Sequence, residues 1–295
     1  CPYLRHFLCF DFSLFQPRQY RNDPSHISSM AAYHYFRVCR IIILWYAAYV
    51  TMAIGEYVHV FLDLFYSRSC LHCNLNLNNS YDLYLCENCK KEIPYVNNSH
   101  CIRCGAALGP HIISTAKEGC PSCKGKHLPF NTLTSITHYE GVIKTLIHTF
   151  KYSRQKFLFT ALNDIVLAQE KLKEIVPNVD VVVPVPLHWL KKMRRGFNQS
   201  ELLARGIQIY FSKPLSTNNL CRIKNTSSQT QLSKSQRQRN IRNAFFVNDP
   251  KSFKGKKILL VDDVLTTGVT VMECSKKLKD AGAISVHLLI LATAR

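Results

Sequence analysis

The sequence predicts an α/β fold, a parallel sheet flanked by helices and preceded by a small cysteine-rich module. Three observations carry this. DVVVPVP (180–186), KKILLV (256–261) and ISVHLLILA (284–292) are short, apolar and rich in β-branched residues, as strands buried on both faces are. Helical periods alternate with them, so strand, helix and strand follow one another as in a parallel sheet with a right-handed crossover. Eight of the thirteen cysteines fall in four Cys-x-x-Cys pairs between residues 70 and 123.

Composition supports a folded chain. With 295 residues, 47% apolar and 19% charged, there is enough apolar side chain for a substantial core, and wholesale disorder is excluded. The formal charge of +19 is unevenly spread: residues 186–257 hold sixteen Lys/Arg against Glu201 and Asp249, a net of +14. Such a surface favours polyanions, either phosphorylated small molecules or nucleic acid, although a solvated basic face has the same composition. The chain carries neither a Walker A sequence nor GxGxxG, so ATP-driven and dinucleotide chemistry lack support. No Ser/His/Asp or Cys/His nucleophile constellation stands out.

Residues 1–51 begin with Cys1 and are aromatic-rich and irregular. They read as an uncharacterised extension, with a mis-set start upstream of Met52 as one explanation. IIILWYAAYVTMAIG (41–55) is apolar for fifteen residues, short of the roughly 20 a spanning helix needs, so it gives no convincing transmembrane span. No signal-peptide pattern is present, and the cysteine spacing suits metal binding in a reducing compartment, which makes the cytoplasm the expected location.

The four pairs, Cys70/Cys73, Cys86/Cys89, Cys101/Cys104 and Cys120/Cys123, are separated by 12, 11 and 15 residues. A Cys-x-x-Cys turn lets two thiolates converge on one ion, and two turns complete a tetrahedral S₄ site. Eight thiolates make two such sites, and this spacing favours Zn²⁺ over an iron–sulfur cluster. Sequential and interleaved pairing are both open, sequential being the simpler. Four thiolates per ion leave no position for water or substrate, so these sites are structural. His72, His100, His111 and His127 lie nearby and are read as surface residues rather than ligands. The module is expected over 60–130 and the α/β domain over 131–295.

Within that domain, YEGVIKTLIHTFKY (139–152) places Val142, Leu146, Ile147 and Phe150 on one helical face. A second helical pattern runs from about 157 to 175, a third from Asn198 to Tyr210, and a fourth from about Val269 to Asp280. Residues 224–240 are polar, basic and loop-like.

ILLVDDVLTTGVT (258–270) carries the chemistry. Its strand delivers Asp262 and Asp263 toward the crevice where open α/β sheets bind ligands. The loop Thr266-Thr267-Gly268-Val269-Thr270 then opens a helix, and its N–H groups and hydroxyls make an anion cradle suited to a phosphate monoester. Acids that accept from a diol, next to a phosphate cradle, describe a grip on ribose 5-phosphate.

The thirteen residues resemble the 5-phosphoribosyl-1-pyrophosphate (PRPP) motif of type I phosphoribosyltransferases. The wider chain, from about residue 60 to 295, is similar to the ComF family linked to competence for DNA uptake. The four cysteine pairs, YEGVIKTLIHTFKY, VVVPVPLHWLKKMRRGFNQSELLA and QTQLSKSQRQRNIRNAF carry the likeness. The resemblance implies a type I phosphoribosyltransferase-like sheet behind a double zinc ribbon, with PRPP and Mg²⁺ as ligands. Asp262 and Asp263 would then hold the ribose hydroxyls and help order Mg²⁺, and Thr266, Thr267, Gly268, Val269 and Thr270 would wrap the 5′-phosphate. The Pro184–Pro186 turn would stand at the pyrophosphate loop, with Lys191, Lys192, Arg194 and Arg195 neutralising pyrophosphate. Residues 224–240, with Lys234, Arg237 and Arg239, would form a hood. Thr266 stands where 6-oxopurine-salvaging relatives carry an acid, which argues against that acceptor. Two further readings differ in class: a single-stranded-DNA-handling protein working with the competence machinery, and a sensor that binds PRPP without turnover.

Overall fold

A computed structural model describes residues 69–77, 84–96, 100–109, 111–115, 117–152, 158–224 and 241–294. All of these fall in one compact unit, Arg68–Arg295. The expectations for residues 1–51, and for Lys234, Arg237 and Arg239, lie outside the described residues.

Four strands form a parallel sheet in the order β1-β6-β5-β2: β1 (Thr132–His138), β2 (Val181–Pro184), β5 (Lys257–Leu265) and β6 (Ser285–Thr293). A single parallel bridge from Val182 to Leu215 lies beyond β2. The two-stranded antiparallel ladder β3 (Leu220–Arg222) and β4 (Phe245–Val247) stands apart from the sheet.

Strand β5 explains the architecture. Ile258 and Leu260 join a core with Val271, Cys274 and Leu278, while Leu259 and Val261 join a second core on the opposite face. A strand that alternates between two buried layers must be apolar throughout, which is why ILLV carries no polar interruption. The first layer is covered by α7 (Val269–Asp280) and the β3–β4 ladder. The second is covered by α2 (Gly141–Tyr152), α3 (Leu158–Leu167), α4 (Glu170–Ile175) and α6 (Gln199–Phe211). Val142, Leu146, Ile147 and Phe150 of α2 are all buried, as their spacing predicts.

Besides β1, β3 and β4, which the sequence pattern does not mark, three quoted segments differ in the structure. The strand read as 256–261 runs to Leu265, because β6 continues the ladder through Asp262↔Ile290, Val264↔Ala292 and Leu265↔Thr293. The helix read over 157–175 is two helices, broken where Gln169 is extended (φ −82°, ψ 120°) and donates back to the Val166 carbonyl. Trp189–Arg195, read only as a basic stretch, forms the short helix α5, capped by the His188 ring and ended by Gly196 at φ 81°.

Among the described residues the cysteine module has one short helix, α1 (Glu87–Lys91). It also meets β1 along the outer edge of the sheet. Leu133 N–H donates to Ile102 (2.9 Å), Val96 N–H to Ile136 (2.9 Å) and His138 N–H to Pro94 (2.8 Å).

Candidate metal centres and ribose-phosphate site

The eight cysteines converge as two clusters, Cys70/Cys73/Cys86/Cys89 and Cys101/Cys104/Cys120/Cys123, with the sulfurs of each within 4.8 Å of one another. The pairing is sequential, and both clusters consist of cysteines alone. A tetrahedron with Zn–S bonds of about 2.3 Å has S···S edges of about 3.8 Å. The sulfurs of Cys73 and Cys86 stand 3.6 Å apart, those of Cys101 and Cys123 3.8 Å, and those of Cys104 and Cys120 3.7 Å. The thiolates are therefore already spaced for Zn²⁺. The Ser114 hydroxyl donates to the Cys101 sulfur at 3.0 Å and the Cys120 N–H to the Cys123 sulfur at 3.3 Å, the supporting bonds a metal thiolate accepts. His72 instead meets Thr145 Oγ1 at 3.0 Å, and the His100 ring lies 5.5 Å from that of His138.

The acid pair lies in the C-terminal half of β5. The two carboxylates are held differently. Asp262 Oδ1 accepts from the Ser200 hydroxyl (2.9 Å) and from the Asp263 N–H (3.0 Å). Ser200 stands in the first turn of α6, whose packing through Leu203, Ala204 and Ile207 fixes it there. Asp263 Oδ2 instead pairs with Lys151 Nζ at 2.7 Å, both side chains being mostly buried. Burial and then the neighbouring Asp263 charge push the Asp262 carboxyl up to about 7. Burial disfavours the Lys151 ammonium, but Asp263 and then Asp262 outweigh it and hold its pKa above the ordinary lysine value.

Beyond the acids the chain turns through Thr266 and Thr267 to Gly268, which takes φ 78°, a left-handed conformation that L side chains rarely adopt. Gly268 is the N-cap of α7 and supplies no side chain, so the first-turn N–H groups contributed from Val269 and Thr270 onward have no acceptor from the cap.

Basic side chains gather near the acid pair, Arg222 within reach of the Asp262 charge and Arg195 within reach of Lys151. Burial, then Arg222, Arg195 and Arg194, bring Lys191 down to about 8, so these four cations share one neighbourhood. Arg222 comes from β3, lies over the Phe245 ring at 5.4 Å, and feels the Asp262 charge; burial lowers its pKa. Lys192 turns away to pair with Glu201 at 3.0 Å, where Arg205 joins it. Arg195 also donates to Gln199 Oε1 at 3.1 Å, while the buried Gln199 Nε2 has no hydrogen-bond partner among the described residues. After β2, the Val185 N–H donates to Val261 and its carbonyl accepts from Asn198 Nδ2, tying the Pro184–Pro186 turn to β5 and α6.

The sequence reading did not single out Lys151, Ser200, Gln199 or Arg222. Lys151 and the Ser200 segment lie inside quoted stretches, but nothing local marks either as touching an acid on another strand.

Residues 61–127 match the double zinc ribbon domain and residues 166–295 the phosphoribosyl transferase domain. Competence protein F of Haemophilus influenzae is 31% identical over 240 residues, spanning 78% of this chain and 99% of that protein. The chain belongs to the ComF family. Other ComF relatives are the DNA utilization protein YhgH of Salmonella typhi, 32% identical over 65% of this chain and 83% of its own, and competence protein ComFC of Bacillus subtilis, 25% identical over 68% and 80%. The ComF architecture is thus a double zinc ribbon ahead of a phosphoribosyltransferase-type parallel sheet flanked by helices. Among the described residues no helix is long and apolar enough to cross a membrane.

Proposed function

We propose that this ComF protein binds PRPP with Mg²⁺ at the C-terminal end of β5 and transfers its ribose 5-phosphate to an acceptor, working in the cytoplasm. One juxtaposition carries the reading: an acid pair, then a left-handed glycine turn into an uncapped helix N-terminus, with four clustered cations near the acids. The ribose hydroxyls donate to Asp262 and Asp263, and the 5′-phosphate accepts from the Thr266–Thr270 backbone and hydroxyls. Lys191, Arg194, Arg195 and Arg222 offset the charge of the departing pyrophosphate, so the chain contributes positioning and electrostatics rather than a covalent intermediate. Carboxylate oxygens are the hard donors Mg²⁺ prefers, so Asp262 and Asp263 suit an ion delivered by the ligand phosphates, but not a free one while Lys151 holds Asp263. Bound there with the ligand phosphates, the ion would supply charge neutralisation of the leaving group. The buried Gln199 amide, held to Arg195, is a donor available to the same anion.

Calorimetric titration of PRPP with Mg²⁺ into the wild type and an Asp262→Asn/Asp263→Asn variant tests the reading. Saturable binding lost in the variant supports it; no binding by a zinc-loaded wild type sinks it.

One observation favours a second reading, single-stranded DNA as a ligand in concert with competence-machinery proteins. Helix α5 buries none of its residues and presents Trp189 and Met193, 60% and 70% exposed, among four basic side chains. An exposed indole beside phosphate-binding cations is a stacking platform for bases. DNA affinity that falls steeply with salt and drops in Trp189→Ala, with no response to PRPP, would select this reading over the first.

A further inference from the structure

The two acids of the pair are not equivalent, and the difference originates on another element. Lys151 occupies the last turn of α2, where the helix dipole favours a cation. Ile147 and Phe150 of the same helix are buried in the core, so the backbone that carries the lysine is anchored. Its ammonium reaches Asp263 Oδ2 at 2.7 Å, with the two side chains only 17% and 15% exposed. No comparable cation is paired with Asp262 among the described residues; it is held by the Ser200 hydroxyl and the Asp263 N–H, both on Oδ1. One acid is thus charge-compensated from within the chain, and the other keeps Oδ2 for an incoming donor.

We infer that Lys151 is a specificity-determining residue of the acid pair: its ammonium takes the position on Asp263 that a free divalent cation would otherwise hold. The pair then recognises hydroxyl donors and does not collect metal ions from solution. The inference rests on the ribose-phosphate reading for the identity of the donors, but the competition between ammonium and metal can be measured without any sugar. With two uncompensated carboxylates side by side, the hard-oxygen donors of a divalent site are in place. With Lys151 present, the Asp263 charge is compensated and one of its oxygens is already engaged at ion-pair distance. The lysine acts as a positioning residue, because it fixes the Asp263 carboxylate and need not touch the ligand.

The test uses the full chain with its zinc sites loaded and Mn²⁺ as the only added probe, followed by water-proton relaxation. An opposite charge within ion-pair reach shifts a carboxylate by one to three units, so removing it should tighten Mn²⁺ binding by about tenfold or more. Lys151→Met is expected to gain a Mn²⁺ site that the wild type lacks in the millimolar range. Adding Asp263→Asn to that variant should abolish the site, and Lys151→Arg, which keeps the charge, should behave as the wild type. A wild type that binds Mn²⁺ as tightly as Lys151→Met overturns the inference. Should Lys151→Met fail to fold, the wild type decides against its own Asp262→Asn variant: Mn²⁺ binding present in the first and lost in the second also overturns it, and its absence from both sustains it. A protein that shows the expected Mn²⁺ pattern but does not bind PRPP refutes the ribose-phosphate reading while leaving the role of Lys151 standing.

Discussion

Asp262→Asn should make the protein more stable at neutral pH while removing ligand binding, and the effect can be worked from the structure. Burial and the adjacent Asp263 charge raise the Asp262 carboxyl from 3.8 to about 7. A carboxyl raised in the folded state contributes stability that is full below its unfolded pKa and is lost as pH climbs through the folded value. The full gap of about three units corresponds to a ceiling of ~4 kcal/mol. Between pH 6 and 8 the unfolded chain is already ionised while the folded chain gives up its proton, so about 1.4 kcal/mol of that loss falls in this window. The Asn amide oxygen still accepts from Ser200 and from the Asp263 N–H, so the local geometry survives. Urea unfolding of zinc-loaded wild type and variant at pH 6, 7 and 8 measures the difference, and the histidines cancel because both proteins share them. The wild type should lose about 1.4 kcal/mol more than the variant across that range. Parallel pH profiles would refute the idea that Asp262 is buried at a cost.

Two further outcomes follow from the site and the ribbons. Gly268→Ala forces a Cβ onto a residue at φ 78°, which should cost about 1 kcal/mol and weaken phosphate-ligand affinity about fivefold in calorimetry. Cys89→Ser and Cys101→Ser should each lower zinc content from two ions per chain to one, measured by mass spectrometry of the metal. Their effects on stability should differ, because Cys70 and Cys89 pack into the main core with α2 and α3, whereas Cys101, Cys120 and Cys123 form a small cluster of their own. Cys89→Ser should therefore lower the melting temperature more than Cys101→Ser does.

What could be read from the sequence tracks what is local. ILLV announces a strand because both of its faces are buried, and the acids are conspicuous because they end that apolar run. The cysteine pairs are legible since a Cys-x-x-Cys turn brings its own two ligands together; only the choice of partner turn needed three dimensions. TLTSITH was not read as a strand. It lies at the edge of the sheet, where Thr132 meets His287 Nδ1 at 2.8 Å and Thr137 bonds the Leu291 carbonyl, so these two polar residues find partners without an apolar pattern. Helix α5 has no buried face and hence no period to detect. Ser200 and Asp262 are 62 residues apart, and no spacing rule links a hydroxyl at a helix start to an acid on a strand. Lys151 and Arg222 reach the site in the same way, each from an element whose own sequence says only that it packs.

The hydrogen bonds from the cysteine module to β1 have a consequence of another kind. A terminal strand of an open sheet presents unpaired N–H and C=O groups, which recruit strands from other molecules. Here Ile102, Val96 and Pro94, all from the ribbon region, take up bonding positions along β1. The Ile102 segment is held in shape by its own thiolate cluster with little apolar core, whereas Pro94 and Val96 follow Ile93, which is buried in the main core. Loss of the ion held by Cys101, Cys104, Cys120 and Cys123 should therefore free the Leu133 end of β1, and metal-starved protein is expected to associate edge to edge, read as growth of particle size in light scattering.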